Sequence, residues 1–226
     1  MRETKSLINV KSLKEQVYDY LRQQFQQHRL QPGTVINMEA TAAKLGISKT
    51  PLRDALIQLE MEGFVTISPR RGIFVNSLSL QEIREMYQVI GALESSALQE
   101  AFPRLGGEGI KKMDALNRQM QKAVEHNHFE LFYEKNLLFH NCFIDPSANR
   151  TMIRIIGNMK KRLYDFPQQR PWIKEWEESS IREHQEIIDF LAADDPAAAA
   201  LFLRDVHWSY TVQEKFIRKY YRAVDG

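Results

Sequence analysis

The stretch LGISKTPLRDALIQLEMEGFVTISPRRGIFV, residues 45–75, governs how the first third of this chain folds. Gly46 follows a run of helical character at about residues 39–45 and lies where a helix C-terminal cap belongs. Ser48 is a typical N-cap residue, and Pro51 falls in the first turn of the next helix, where its missing N–H matters least. The segment therefore predicts two short helices joined by a tight turn.

A β-hairpin is predicted directly after the second of these helices, which Gly63 ends. Residues 64–67 and 73–75 are short β-like runs, and the sequence Ser-Pro-Arg-Arg-Gly at 68–72 is typical of the turn between them. Another amphipathic helix is predicted at about residues 12–28. Together these elements indicate a helix-turn-helix followed by a wing.

The polar residues of this segment suit contact with duplex DNA. In a helix-turn-helix the second helix lies in the major groove with its N-terminal residues at the base edges. Hydroxyl, ammonium and guanidinium groups that match phosphate oxygens and guanine acceptors stand at those positions, on Ser48, Lys49, Thr50 and Arg53. Arg70 and Arg71 at the hairpin tip are placed to reach a neighbouring groove or phosphate.

Charge and composition agree with a first part that contacts nucleic acid. Residues 1–76 hold eleven Lys/Arg against seven Asp/Glu, whereas residues 77–226 hold twenty against twenty-two. A basic N-terminal part followed by a mildly acidic remainder is expected when the N-terminal part alone contacts nucleic acid. A single cysteine, Cys142, fits a reducing compartment, and the sequence shows no signal peptide and no run of 18 apolar residues. The expected location is the cytoplasm.

The remainder of the chain is predicted to be a helical bundle. The domain boundary is placed after residue 77, so that residues 1–77 form the DNA-binding domain and residues 78–226 the second domain. A long helix is expected to end at Pro103 to Gly107, with an inner face at Ile83, Met86, Tyr87, Ile90, Leu93 and Ala97. Further helices are predicted at about 108–126, 129–144, 148–165, 175–193 and 196–222. The fold class is therefore mostly α.

The first domain resembles the GntR family of bacterial regulators. Its diagnostic pattern is S-R/K-T-P-x-R-x-A-L, then G-hydrophobic-V and a wing R-G, and residues 11–76 carry the match. The resemblance implies DNA contacts from the recognition helix and the wing, at Lys49, Thr50, Arg53, Arg70, Arg71 and Gly72. One position departs from the family: Glu39 stands where an arginine is frequent, and its carboxylate would repel phosphate.

The second domain resembles the FCD type of GntR effector domain, found in the FadR subfamily. Its landmarks occur in order along the chain: Leu93-Glu94, Phe139-His140, Asn149, Glu183-His184 and His207. The resemblance implies a bundle of six or seven helices that mediates dimerisation and binds a small-molecule effector. In many members three histidines and an Asp or Asn hold a divalent metal at the centre of the bundle.

The resemblance transfers the metal site to Asn136, His140, His184 and His207. Asn136 and His140 are four residues apart and therefore share one face of a helix, while the other two histidines lie beside apolar positions of later helices. Imidazole ligation suits zinc or nickel best among the candidates, with positions left open for water or a ligand carboxylate. The Asn in place of Asp leaves the site one negative charge short. His28, His126 and His128 are interpreted as surface residues.

The effector pocket departs from the family at one position. Members of this type often carry an arginine four residues before the Leu-Glu glutamate, where it clamps a carboxylate, but this chain has Ile90 there. Small organic acids or sugar acids are the ligands that the resemblance implies. Tyr87 and Arg162 are candidate pocket residues.

The predicted function is a transcriptional regulator, not an enzyme, whose affinity for its operator is controlled by a ligand. A palindromic operator and a homodimer are expected, since one recognition helix reads few base pairs. Two alternatives remain open at this stage. One is a metal-dependent hydrolase-like enzyme with an accessory winged helix; the other is a winged helix that serves as a protein-binding surface. The effector, the operator and the sign of regulation do not follow from the sequence.

Overall fold

The structure is a computed structural model that describes residues 11–166 and 172–221. The described chain forms two compact units, one of residues 11–77 and 164–166 and the other of 78–163 and 172–221. The first is a small α/β unit and the second is all helical. The predicted fold class, a winged helix-turn-helix plus an FCD-like bundle, is confirmed.

The first unit contains three helices and a three-stranded antiparallel sheet. In chain order its elements are α1 (Leu13–Gln26), β1 (Val35–Ile36), α2 (Met38–Leu45), α3 (Lys49–Met61), β2 (Val65–Ser68) and β3 (Gly72–Val75). The sheet order is β1-β3-β2, with Ile36 opposite Ile73 and Thr66 opposite Phe74. The two-residue strand β1, which the sequence did not reveal, gives β3 a partner on its second edge.

Local sequence accounts for the turn between α2 and α3. Gly46 caps α2 in the left-handed conformation (φ 66°, ψ 31°), which a residue with a Cβ adopts at a cost. The buried side of α3 consists of Leu52, Ala55, Leu56 and Leu59, all fully buried. This unit therefore has an apolar core of its own beneath the recognition helix.

The second unit is a bundle of six helices within the described ranges. They are α4 (Leu80–Glu125), α5 (Phe129–Ile144), α6 (Arg150–Asp165), α7 (Lys174–Ala192), α8 (Pro196–Phe202) and α9 (Tyr210–Tyr220). A short 3₁₀ turn, Asp145–Ser147, joins α5 to α6, and a π-helical segment, Leu203–His207, follows α8 directly.

The long helix α4 does not end where it was predicted to end. Pro103 lies inside it, and the break is confined to Gly106, whose φ of 56° and ψ of −179° are not helical. Helical hydrogen bonding resumes at once, so α4 is two helical segments joined by a kink. Counted in this way, the bundle has seven helical segments.

The prediction of one helix over residues 196–222 was wrong, although residue 222 lies outside the described ranges. After α8 the chain widens into the π-helical segment Leu203–His207 and breaks at Trp208, which has φ −96° and ψ 18°. A π segment shifts the direction of the side chains that follow it and is frequent at functional sites. Its last residue here is His207.

Within the described residues, no helix is both long and apolar enough to cross a membrane.

Candidate metal centre and nucleic-acid interface

Three of the four predicted metal ligands converge inside the bundle. His140 on α5, His184 on α7 and His207 at the end of the π segment each offer a ring nitrogen, and these nitrogens all lie within 4.8 Å of one another. Ring centroids are 4.8 to 5.3 Å apart in all three pairs. Imidazole nitrogens bind zinc at about 2.0–2.1 Å, so inward shifts of about 0.7–0.8 Å would bring all three into range of one ion.

The buried polar atoms at this point lack partners in the described structure. His140 Nε2, both ring nitrogens of His184 and Asn136 Oδ1 are buried and make no hydrogen bond with described residues. Asn136 lies one turn before His140 on α5. Buried polar atoms are almost always satisfied in folded proteins. The residues present therefore fit a divalent cation, because such an ion would bind His140 Nε2, one ring nitrogen of His184 and the amide oxygen of Asn136.

A buried carboxylate orients His140. Glu94 of α4 is fully buried, and its Oε2 lies 2.7 Å from His140 Nδ1 and accepts from Trp208 Nε1 at 2.9 Å. Its other oxygen pairs with the ammonium of Lys160, which is also buried. Burial opposes ionisation of Glu94, yet the His140 and Lys160 contacts hold its pKa below the ordinary value.

Burial lowers the pKa of His140 to about 4, although the carboxylate of Glu94 acts in the opposite direction. The ring is therefore neutral at neutral pH. Its Nδ1 therefore donates a hydrogen bond to Glu94, which leaves the lone pair of Nε2 without a partner among the described residues. This is the carboxylate–histidine arrangement that orients metal ligands in proteins.

A second carboxylate orients His207 in the same way. Glu183, which precedes His184 on α7, places Oε2 at 2.8 Å from His207 Nδ1. Its Oε1 accepts from Ser179 at 3.2 Å and from Gln213 at 3.1 Å. The orientation of His207 is thus set by contacts from both α7 and α9.

Packing contacts position His184 and Trp208 in this centre. The ring of Phe139 stacks on His184 at a centroid distance of 4.1 Å. Gly91 allows α4 to approach the π segment closely, because a Cβ at that position would lie 2.9 Å from the Cβ of Trp208. The indole that donates to Glu94 therefore depends on a glycine one turn earlier on α4.

The two predicted pocket residues have defined contacts in the second unit. Tyr87 is buried and packs edge-on against Trp208 at a centroid distance of 5.2 Å. Arg162 donates to Glu82 at 2.6 Å. Ile90, at the position of the missing arginine clamp, is fully buried.

Sequence reasoning missed Lys160 and assigned no role to Glu94. Lys160 occupies an apolar-face position of α6, at helical spacing from Met152, Ile156 and Leu163, which are all buried. That charge within an apolar stripe was a detectable signal. The inner face of α4 was assigned to Leu93, but Leu93 is half-buried and Glu94 is fully buried.

A second polar layer lies along the same helices. Glu177 and Tyr133 each precede a histidine of the centre by seven residues, and Tyr133 donates to Glu177 Oε1 at 3.2 Å. The hydroxyls of Tyr133 and Tyr220 are 2.7 Å apart. Burial raises the pKa of Glu177 to about 8, and the hydrogen bond from Tyr133 opposes this shift in part. The carboxyl is therefore mostly protonated at neutral pH.

The candidate DNA contacts lie on the surface of the first unit. Ser48, Lys49, Thr50 and Arg53 are exposed on the first turns of α3. The side chains of Arg53, Arg70 and Arg71 have no hydrogen-bond or ion-pair partner within the described ranges, so these cations are available to an external anion. Lys49 differs, because its ammonium pairs with Glu39 at 2.6 Å.

The wing tip has an unusual backbone. Arg70 is in the left-handed region with φ 62°, and Gly72 follows with φ 120°. A non-glycine residue at positive φ is uncommon. The turn is closed by a hydrogen bond from Arg71 N to Ser68 O at 3.1 Å, and it presents both arginines to solvent.

A helix with exposed cations on its first turns, beside a hairpin tipped by two arginines, defines a winged helix-turn-helix protein of the DNA-binding class. Comparison with protein families agrees with this class. The bacterial regulatory proteins of the gntR family match residues 13–75, and the FCD domain matches residues 85–206. The chain therefore belongs to the GntR family and carries an FCD domain; it is a transcriptional regulator of that type.

Curated relatives are also regulators. The HTH-type transcriptional repressor RspR of Escherichia coli K12 is 24% identical over 186 residues, covering 80% of this chain and 79% of that protein. The Nta operon transcriptional regulator of Aminobacter aminovorans is 27% identical over 168 residues, covering 74% and 77%.

Solved structures share the fold. McbR/YncC of E. coli has a TM-score of 0.65 at 21% identity, covering 92% of this chain and 97% of that one. A GntR regulator from Rhodococcus sp. RHA1 has a TM-score of 0.68 at 17% identity, with the same coverages.

The raised pKa of Glu177 predicts a measurable pH dependence. Between the ordinary carboxyl pKa and about 8, the unfolded chain releases this proton while the folded chain keeps it, so the free energy of unfolding falls as pH rises. Glu177→Gln removes that loss and keeps an acceptor for Tyr133. Relative to wild type, the variant should gain about 1 kcal/mol per pH unit between pH 5 and pH 8 in urea denaturation. Glu178→Gln, outside the core, is the control, and an equal gain in both variants would contradict the assignment.

Proposed function

We propose that this regulator binds a palindromic operator as a homodimer, and that a small organic acid bound beside a divalent metal ion in the helical unit controls its affinity for DNA. The observation that carries the proposal is the convergence of three imidazoles, two of which, His140 and His184, have buried ring nitrogens without a partner among the described residues. A cluster of this kind is costly to keep empty, because each buried acceptor loses its hydrogen bonds to water.

In the first unit, the recognition helix α3 would read base edges and the wing would contact a groove or phosphates. Arg53 is the strongest candidate for a base contact, because its exposed guanidinium has no partner within the described residues and bidentate donation suits guanine. Ser48, Lys49 and Thr50 would contact the backbone or bases at the same end of α3. Arg70 and Arg71 would act from the wing tip, on a turn that Gly72 completes.

In the second unit, His140, His184, His207 and Asn136 would hold the ion, zinc or nickel by the chemistry of the donors. A bound divalent ion supplies a Lewis-acid centre for a ligand oxygen. The chain's own residues supply the rest: Glu94 and Glu183 fix the ring orientations, and the apolar surroundings exclude water. Because the histidines come from α5, α7 and the π segment, loading the site would fasten these elements together.

Tyr87 and Arg162 remain the proposed contacts to the rest of the effector. Tyr87 packs on Trp208, whose indole donates to Glu94, so a ligand against Tyr87 would act on the residues that orient His140. Arg162 is held by Glu82 and would offer a guanidinium to an acid group.

The hydrolase alternative is not favoured. A general base for such a reaction requires a carboxylate near the metal that can accept a proton. The two carboxylates nearest the histidines, Glu94 and Glu183, are instead engaged in orienting imidazoles. The named relatives are transcriptional regulators.

The oligomeric state in solution can be measured directly, and we expect a homodimer. A single recognition helix reads a few base pairs, and a two-fold axis doubles the contact on a palindrome. Sedimentation equilibrium at micromolar concentration should give about twice the chain mass of 26.5 kDa. A monomer that nevertheless binds a palindromic duplex tightly would contradict the proposal.

Replacing Arg53 tests the DNA interface. Arg53→Ala should weaken binding to the operator by about 1–3 kcal/mol and relax base preference at one position, as measured by fluorescence anisotropy with a panel of substituted duplexes. Arg154→Ala, on the exposed side of α6, is the matched control. A uniform loss with a smaller salt slope would make Arg53 a phosphate contact. If wild type shows no salt-dependent binding to duplex DNA, the winged helix serves another partner.

Metal loading should stabilise the helical unit. With free zinc at about 100 times its dissociation constant, the free energy of unfolding should rise by about 2.7 kcal/mol, and EDTA should reverse the effect. His140→Ala and His207→Ala should lose this zinc-dependent gain, since each removes one ligand. His128→Ala, an exposed histidine, should keep it. Equal zinc responses in all four proteins would refute the site.

A further inference from the structure

The buried charges around the three histidines sum to one negative charge, and a divalent ion would change that sum to one positive charge. Glu94 and Lys160 form a buried pair of opposite charges. Glu183 adds one more carboxylate, with donors from Ser179 and Gln213 as well as His207. Glu177, in the polar layer described above, is mostly protonated at neutral pH and contributes little charge.

The ligand set itself is neutral. Three neutral imidazoles and the amide oxygen of Asn136 would surround the ion, and none of them carries a negative charge. With the ion in place, two carboxylates face one ammonium and a divalent cation, so the buried cluster holds one positive charge in excess. An uncompensated charge in a protein interior is strongly unfavourable.

We infer that this chain holds its metal tightly only together with an anionic ligand, whose carboxylate supplies the negative charge that Asn136 does not. The inference rests on the metal centre of the proposed function and adds a regulatory property to it. Metal and organic acid bind as a coupled pair, and by linkage each raises the affinity for the other by the same factor. The regulator therefore responds to the acid and the metal jointly.

Asn136 is the residue that sets this coupling. It is buried on α5, one turn before His140, and its Oδ1 has no hydrogen-bond partner in the described structure. An aspartate has nearly the same shape and would bring the missing charge. The charge of the ligand set can thus be changed at one position with little change in volume.

The experiment measures zinc affinity of the full chain by competition with a chromophoric chelator. Sodium acetate is the carboxylate probe at constant ionic strength, and acetamide is its uncharged counterpart. Acetate should tighten zinc binding at least about fivefold, the lower end of typical coupling between sites, whereas acetamide should have no effect. Zinc complexation by acetate in solution acts in the opposite direction and cannot imitate this result.

Three variants separate charge from ligation. Asn136→Asp should bind zinc more tightly without acetate and lose the acetate effect. Asn136→Ala removes the amide but adds no charge, so zinc should bind more weakly while the acetate effect remains. Asn141→Asp, which adds the same charge on the exposed side of α5, should behave as wild type.

The outcomes are decisive in both directions. If zinc binds wild type equally well with and without acetate, or if Asn136→Asp keeps the full acetate effect, the inference is wrong while the metal centre stands. If neither wild type nor Asn136→Asp binds one zinc per chain, the metal centre of the proposed function fails, and the inference fails with it.

Discussion

One buried carboxylate organises the helical unit. Glu94 is fully removed from solvent, and an unpaired carboxylate there would cost several kcal/mol. The surrounding elements must therefore bring donors to it: Lys160 from α6, His140 from α5 and Trp208 from the position directly after the π segment. Pairing the Glu94 carboxylate with these donors brings four parts of the chain together at one point. The close approach of α4 at Gly91 makes the indole contact possible.

The candidate metal centre is a consequence of that arrangement. Because Glu94 accepts a hydrogen bond from Nδ1 of His140, and Glu183 lies against the same atom of His207, the Nε2 atoms of both rings remain available to an ion. Stacking on Phe139 places His184 beside them.

The two units differ in how their charged side chains are paired. The helical unit pairs charges in its interior, whereas the winged helix has exposed arginines without partners among the described residues, as an interface with a polyanion requires.

Much of the fold could be predicted because its signals are local. Helix α5 was predicted at 129–144 and is observed as Phe129–Ile144, since its apolar spacing and flanking breaks are all contained in the segment. The hairpin and the turn at Gly46 were also found from local residues. Errors arose where local signals were ambiguous. Pro103 is accommodated within α4, and the π segment has no marker in the composition of residues 203–207.

The sequence by itself determined the class of protein, the helical or strand character of most segments, and the identity of four candidate metal ligands. Periodicity and local motifs suffice for the first two, because they depend on residues near one another in the chain, whereas the four ligands are what the resemblance to the FCD type implies. The tertiary structure alone decided which polar groups share the interior. Glu94, and not the predicted Leu93, is buried on the inner face of α4, and Lys160 is buried in the core although lysines are usually exposed. Both results depend on contacts between residues more than forty positions apart, where the energy of a buried charge outweighs local preference.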